Sequence, residues 1–292
     1  MLKNFILLIS VLFFTSCSSE YDEKLKISAT TWIGYTPLFY AKETGLLEPL
    51  NIKLVNVSSL SENMYLYKAG NSDAYVGTQY EYSILCKEDS TLIPVMMFDR
   101  SFGGDIIMSN ISIQELQNTK DSIDAYLEMD SINSTLLEDF IKRYKLQDKT
   151  INYINQDQAQ ISTLNSKNIN KPTVVVTYTP YNHELIKKGF KEIVSTRDGL
   201  GLLVVDAMFT KKNIFDKHKK QFIELKKSVD IAIAALKKDP KSFYEIIKPY
   251  MLNMDYDEFN DSVNSIIWIN ESMSADLKQR LKDADFPDAN VL

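Results

Sequence analysis

Cys17 is the residue whose position points most directly to a covalent reaction. It follows Lys3, the apolar run Phe5-Ile-Leu-Leu-Ile-Ser-Val-Leu-Phe-Phe14 and the small residues Thr15 and Ser16. A positive start, a short apolar stretch and a small-residue cut site form the layout of a bacterial secretory signal. With a cysteine at the cut the segment resembles a lipobox, where the thiol receives a diacylglycerol and cleavage frees the Cys17 amine. About ten apolar residues are too few to span a bilayer, which needs about 20. Residues 1–17 are therefore expected to be signal peptide and lipobox. The mature chain would sit on the periplasmic or cell-surface side of a bacterial membrane, anchored by lipid on Cys17. Residues 18–24, Ser-Ser-Glu-Tyr-Asp-Glu-Lys, are polar and aperiodic and read as a tether.

Other reactive side chains are sparse. Cys86 is the one cysteine left after the anchor, so an internal disulfide is unavailable. Its setting, Tyr82-Ser-Ile-Leu-Cys86, has helical spacing and reads as core. His183 and His218 stand far apart without carboxylate or cysteine at ligand spacing, which argues against a metal. The sequence contains neither a glycine-rich phosphate loop nor a Gly-x-Ser-x-Gly elbow. No cofactor and no catalysis are expected. The net charge of −6 argues against a nucleic-acid partner, because phosphate binding needs a basic face.

The elements that would position a site alternate from residue 25 onward. Strands are predicted over 25–29, 52–57, 74–76 and 92–98, with helices opening at Thr36-Pro37, Ser58-Ser59 and Thr78-Gln79. The near-continuous run Leu92-Ile-Pro-Val-Met-Met-Phe98 suits a strand covered on both faces, so a largely parallel sheet is expected. Gly103-Gly104 interrupts the pattern. A second series follows, with strands over 123–128, 151–154, 173–178 and 193–194 and a strand Leu202–Asp206 marking a return. After residue 211 the pattern is helical to the end, including a helix over 256–267.

Trp32-Ile-Gly-Tyr-Thr-Pro-Leu38 with Ala41-Lys-Glu-Thr-Gly-Leu46, Leu66-Tyr-Lys-Ala-Gly70 with Asp73-Ala74, Asp99-Arg-Ser-Phe-Gly-Gly-Asp-Ile-Ile107 and Tyr178-Thr-Pro-Tyr181 together resemble a known family. It is the ABC-transporter solute-binding proteins of the nitrate/sulfonate/taurine and thiamine-pyrimidine-precursor (NMT1/THI5-like) group. The resemblance implies an α/β, two-lobed type II periplasmic binding fold with a cleft between the lobes and a helical C-terminal part. Lobe 1 would be residues 25–104 plus 202–292, and lobe 2 residues 105–201. It implies capture of a small organic solute and its delivery to an ABC importer permease. The same lobes on a lipid anchor would also suit a ligand-sensing lipoprotein that signals through a membrane receptor. The enzyme branch of the family uses a cysteine-rich motif and a lysine, and only Cys86 remains here, so binding is implied and catalysis is not. A monomer is expected, because no heptad or dimer stripe is present.

In that fold the ligand lies outside the carboxyl ends of the strands. The loops there supply Trp32, Tyr35, Ser58, Thr78, Gln79, Asp99, Ser101, Glu128, Ser131, Tyr178 and Tyr181 as candidate ligand contacts. Hydroxyls beside helix starts suit an oxyanion such as a sulfonate. The aromatic residues with Asp99 and Glu128 suit an amine. A zwitterion would use both sets, and a pyrimidine would stack on the aromatics.

Overall fold

The computed structural model describes residues 21–284, 286–287 and 292. The signal segment and Cys17 lie outside the described residues. The strands in chain order are β1 Leu25–Thr30, β2 Ile52–Val57, β3 Ala74–Thr78, β4 Leu92–Ser101, β5 Asp105–Ser109, β6 Ile123–Leu127, β7 Ile151–Asn155, β8 Thr173–Tyr178, β9 Lys191–Ser195, β10 Val205–Lys211 and β11 Ile266–Trp268. The helices used below are α1 Thr36–Glu43, α2 Leu60–Lys68, α3 Gln79–Glu88, α4 Ile113–Asn118, α5 Ile132–Arg143, α6 Gln158–Ile161, α7 Tyr181–Lys187, α8 Lys212–Lys217, α9 Lys219–Lys238, α10 Pro240–Ile247 and α11 Tyr256–Val263.

The strands form two sheets. One has the order β11-β4-β10-β3-β1-β2 and the other β7-β6-β8-β5-β9. The chain passes from the first to the second between β4 and β5 and returns between β9 and β10. Both sheets are mixed, contrary to the expectation of a largely parallel one. β1 pairs parallel with β2 and β3, and β6 with β7 and β8. The strands flanking the crossings, β4, β5, β9 and β10, pair antiparallel with their neighbours. The unbroken apolar run of β4 reports burial on both faces, and an antiparallel strand under helices meets that condition as well as a parallel one. Pro94, which has no N–H to donate, falls at a register shift opposite Phe209.

Helix starts follow local chemistry. Ser59 accepts from Glu62 N at α2, Thr78 and Glu81 form a capping box at α3, and Ser131 accepts from Asn133 N at α5. α9 buries Phe222, Leu225, Val229, Ala232, Ile233 and Leu236, a three- and four-residue period against α1 and α10. Two expectations change. The return strand begins at Val205 rather than Leu202 and runs on to Lys211. The helix expected over 256–267 stops at Val263, and β11 adds to the edge of β4, with Ile266 opposite Ser101 and Trp268 opposite Asp99. Val263, Ile266 and Ile267 have helical spacing, so period alone does not reveal the break.

Candidate functional site

After β1 the chain is extended at Trp32 and makes one 3-10 turn, Ile33–Tyr35, before α1. That turn sends two aromatic side chains between the sheets. Trp32 Nε1 donates to Asp99 at 3.2 and 3.3 Å, and the Tyr35 hydroxyl donates to Asp206. A side chain at Gly34 would run into the Asp99 carboxylate, and one at Gly104 into the Trp32 indole. The close approach at Gly34 is therefore made by a carboxylate of the protein itself. Trp32 meets Tyr178 of the second sheet edge-on, with centroids 5.9 Å apart, and Tyr178 meets Tyr181 in the same way at 5.4 Å.

Together these side chains wall a cavity of about 10 Å³ between the two sheets. Its walls are the aromatics Trp32, Tyr35 and Tyr178, the hydroxyls Thr30 and Thr78, the acids Asp105 and Asp206, and the apolar pair Leu60 and Val204. That space takes about one water molecule, so a larger solute enters only when the walls part.

Carboxylates dominate the electrostatics. Glu81, Asp99, Asp105, Glu128 and Asp206 are all at most 3% exposed, and among the described residues no lysine or arginine is buried. Burial raises each acid, because a dry interior disfavours the charged form. Asp105 is pushed up to about 7 and Glu128 to about 8. Asp99 and Asp206 are held well above the usual carboxylate range, first by burial and, for Asp206, then by the Asp99 charge. Glu81 is raised by burial against the opposing pull of its hydrogen bonds.

Two of these acids join the sheets reciprocally. Glu128, just after β6, accepts from Leu60 N at the start of α2 (3.2 Å) and from Gln158 N (3.2 Å). Glu81, on α3, accepts from Ile132 N at the start of α5 (3.0 Å) and from Thr78 N (2.8 Å). Each side thus places a carboxylate on a helix start of the other, where free N–H groups and the helix dipole favour negative charge.

The structure brings Trp32, Tyr35, Thr78 and Tyr178 together on the cavity wall, with Asp99 under the indole and Tyr181 behind Tyr178. Glu128 and Ser131 lie at the helix starts just described, where the Ser131 hydroxyl donates to Glu128 O (2.8 Å). Three expected contacts are elsewhere. Ser58 is exposed and bonds Glu62. Gln79 holds the return segment at Leu203 O and Val205 N. Ser101 bonds Thr196 and Asp105 N at the crossings. Sequence reasoning missed Thr30, Asp105 and Asp206. The two acids carried a signal, since each stands in an otherwise apolar strand, Asp105-Ile-Ile-Met108 and Val204-Val-Asp-Ala-Met208. His183 is half-buried, with Nε2 2.9 Å from Ser262 Oγ. Among the described residues no three His, Cys, Asp or Glu side chains gather as a metal cluster, and no helix is long and apolar enough to cross a membrane.

No family model and no curated protein matches this sequence. Solved structures do. The ligand-binding component of an ABC-type import system from Staphylococcus aureus, solved with zinc bound, superposes with a TM-score of 0.70 at 16% identity, covering 91% of this chain and 93% of its own. The periplasmic aliphatic sulphonate binding protein SsuA of Escherichia coli gives 0.68 at 13% identity, over 90% of this chain and 91% of its own. A Candida albicans protein described as exhibiting the generic periplasmic binding protein structural fold gives 0.65 at 11% identity, over 86% and 83%. Two mixed sheets exchanging chain at two crossings, with a cavity between them and helices around, have the periplasmic binding protein fold.

Proposed function

We propose that this chain is an extracytoplasmic solute-binding lipoprotein of the NMT1/THI5-like kind. It captures a small organic solute of sulfonate, amine, zwitterion or pyrimidine type and delivers it to an ABC importer permease. The lobes are residues 25–104 with 202–292, and 105–201, tethered to the membrane by lipid on Cys17. The observation that carries this reading is the cavity whose walls come from both sheets, Thr30, Trp32, Tyr35, Thr78 and Asp206 from one, Asp105 and Tyr178 from the other. A solute bound there touches both sheets at once, and its affinity drives them together. Import-system components among the structural neighbours support the same role.

The test is native mass spectrometry of the full-length chain purified from a bacterial envelope. A small molecule should leave with the protein at one per chain, remain after desalting and be lost from Trp32→Ala. A protein whose melting temperature no supplied envelope metabolite raises, and which carries none through purification, would overturn the reading.

A further inference from the structure

Four buried polar atoms on residues lining the cavity have no hydrogen-bond partner: Thr30 Oγ1, Asp105 Oδ2, Tyr178 OH and Asp206 Oδ2. Unpaired buried polar groups are costly, and such a group calls for an explanation. Here both sheets aim theirs at one space. Two of the four are carboxylate oxygens, which only accept when ionised. In that form the partner they lack is a donor. No buried lysine or arginine among the described residues supplies one, and Asp99, a further buried acid, lies behind the wall beneath Trp32.

The positions that would seat an anion are already filled. Leu60 N at α2 and Ile132 N at α5 belong to helices of 9 and 12 residues, and each donates to a carboxylate from the other side of the cleft, Glu128 and Glu81. An incoming sulfonate would have to displace these groups. A cation meets the reverse situation, with acceptors below it and the aromatic rings of Trp32, Tyr35 and Tyr178 around it. A metal ion is disfavoured, since no three ligating side chains converge among the described residues.

We propose that the cleft selects a compact organic cation with at least two N–H donors, a protonated amine, amidine or guanidinium. Its donors sit on Asp105 and Asp206, its flank lies against Trp32 and Tyr178, and oxyanions are refused. This rests on the solute-binding reading above and narrows it. Because burial holds these acids high, a bound cation draws protons off them, and capture releases protons.

Isothermal titration of the full-length chain decides it. The probes are three cations (methylammonium, 1,4-diaminobutane, methylguanidinium), three anions (ethanesulfonate, sulfate, nitrate) and neutral pyrimidine. At least one cation should bind at one per chain, with an observed heat that changes with the ionisation enthalpy of the buffer. Neither the anions nor pyrimidine should bind. Asp105→Asn and Asp206→Asn should each weaken the cation at least tenfold without lowering the melting temperature. If Asp206→Asn unsettles Tyr35, Asp105→Asn carries the test alone. Binding of an anion or of pyrimidine with the cations silent would overturn the cation and leave solute capture standing. A cation bound equally by wild type and both variants would overturn the assignment to these acids. Silence from every probe, in a protein that carries no solute through purification, would overturn both readings.

Discussion

Trp32 was legible as a candidate because it stands between a strand and a helix start, but a helix-entry staple occupies the same place in a sequence. The structure gives the indole three neighbours at once: the Asp99 carboxylate, the Tyr178 ring and the bare backbone of Gly104. A residue that touches both sheets should matter to affinity as well as to packing. Trp32→Ala is expected to weaken solute binding by about 1–3 kcal/mol, the scale of a buried aromatic or desolvated cation–π contact. Calorimetry on the variant checks this. Unchanged affinity in a protein that has only lost melting temperature would return Trp32 to the core. Asp206 is the opposite case. Its neighbours are Tyr35, 171 positions away, and Asp99, across a strand pairing. No local pattern announces contacts of that range, although an acid inside an apolar strand was there to be noticed.

At the scale of elements, capping chemistry was readable and its consequence was not. Thr78-Gln-Tyr-Glu81 is a capping box in sequence and in structure. What the box conceals is that Glu81 has a second oxygen free to reach Ile132 N across the cleft. Ser131 and Ser58 make a matched comparison, since both sit beside helix starts in sequence. Ser131 is buried and caps α5, whereas Ser58 is exposed. Ser131→Ala should cost about 1 kcal/mol of stability, the usual worth of an N-cap. Ser58→Ala should stay within about 0.5 kcal/mol, as surface changes do. Chemical denaturation of the two variants gives both numbers. Equal losses would mean that the cap at Ser131 is not what holds α5 in register. Most of the strand and helix order was recovered by hydrophobic period; α4 and β11 were missed, the sheets were expected to be largely parallel, and boundaries slipped where period is ambiguous, at Val263–Ile267 and at the ends of β10.

For the molecule as a whole, the buried acids set a pH dependence that the net charge of −6 does not reveal. Asp105 and Glu128 have folded values near 7 and 8, above their values in an unfolded chain. Stability from such groups is fully present below the unfolded value, near 4, and is lost as pH rises through the folded one. The unliganded protein should therefore lose melting temperature between about pH 4.5 and pH 8, each acid contributing up to about 1.4 kcal/mol per pH unit. His183, whose value burial lowers, works against this trend below about pH 6.5. Asp89, lowered to about 2 by its hydrogen bonds to Thr91 and Lys211, acts only below the window. Glu128→Gln removes one of the acids and should flatten the decline. Thermal unfolding of both proteins across pH 4.5–8.5 measures it, and parallel curves would show that Glu128 is charged at little cost. The two-layered organisation behind this was legible from the double series of strands broken at Gly103-Gly104. The burial of five acids drawn from both series was not, because it depends on how the two sheets face each other.

The reciprocal placement of Glu81 and Glu128 has a consequence in mass-action language. A carboxylate fixed to one side of a cleft meets the helix start on the other as a tethered ligand, at an effective concentration of about millimolar or above. A free anion that fits no better than the tethered carboxylate must exceed that figure to win either position. Exclusion of anions then needs no repulsive gate at the mouth of the cleft. It follows from two occupants that never diffuse away, and it weakens only when the sides separate far enough for the tether to lose its reach.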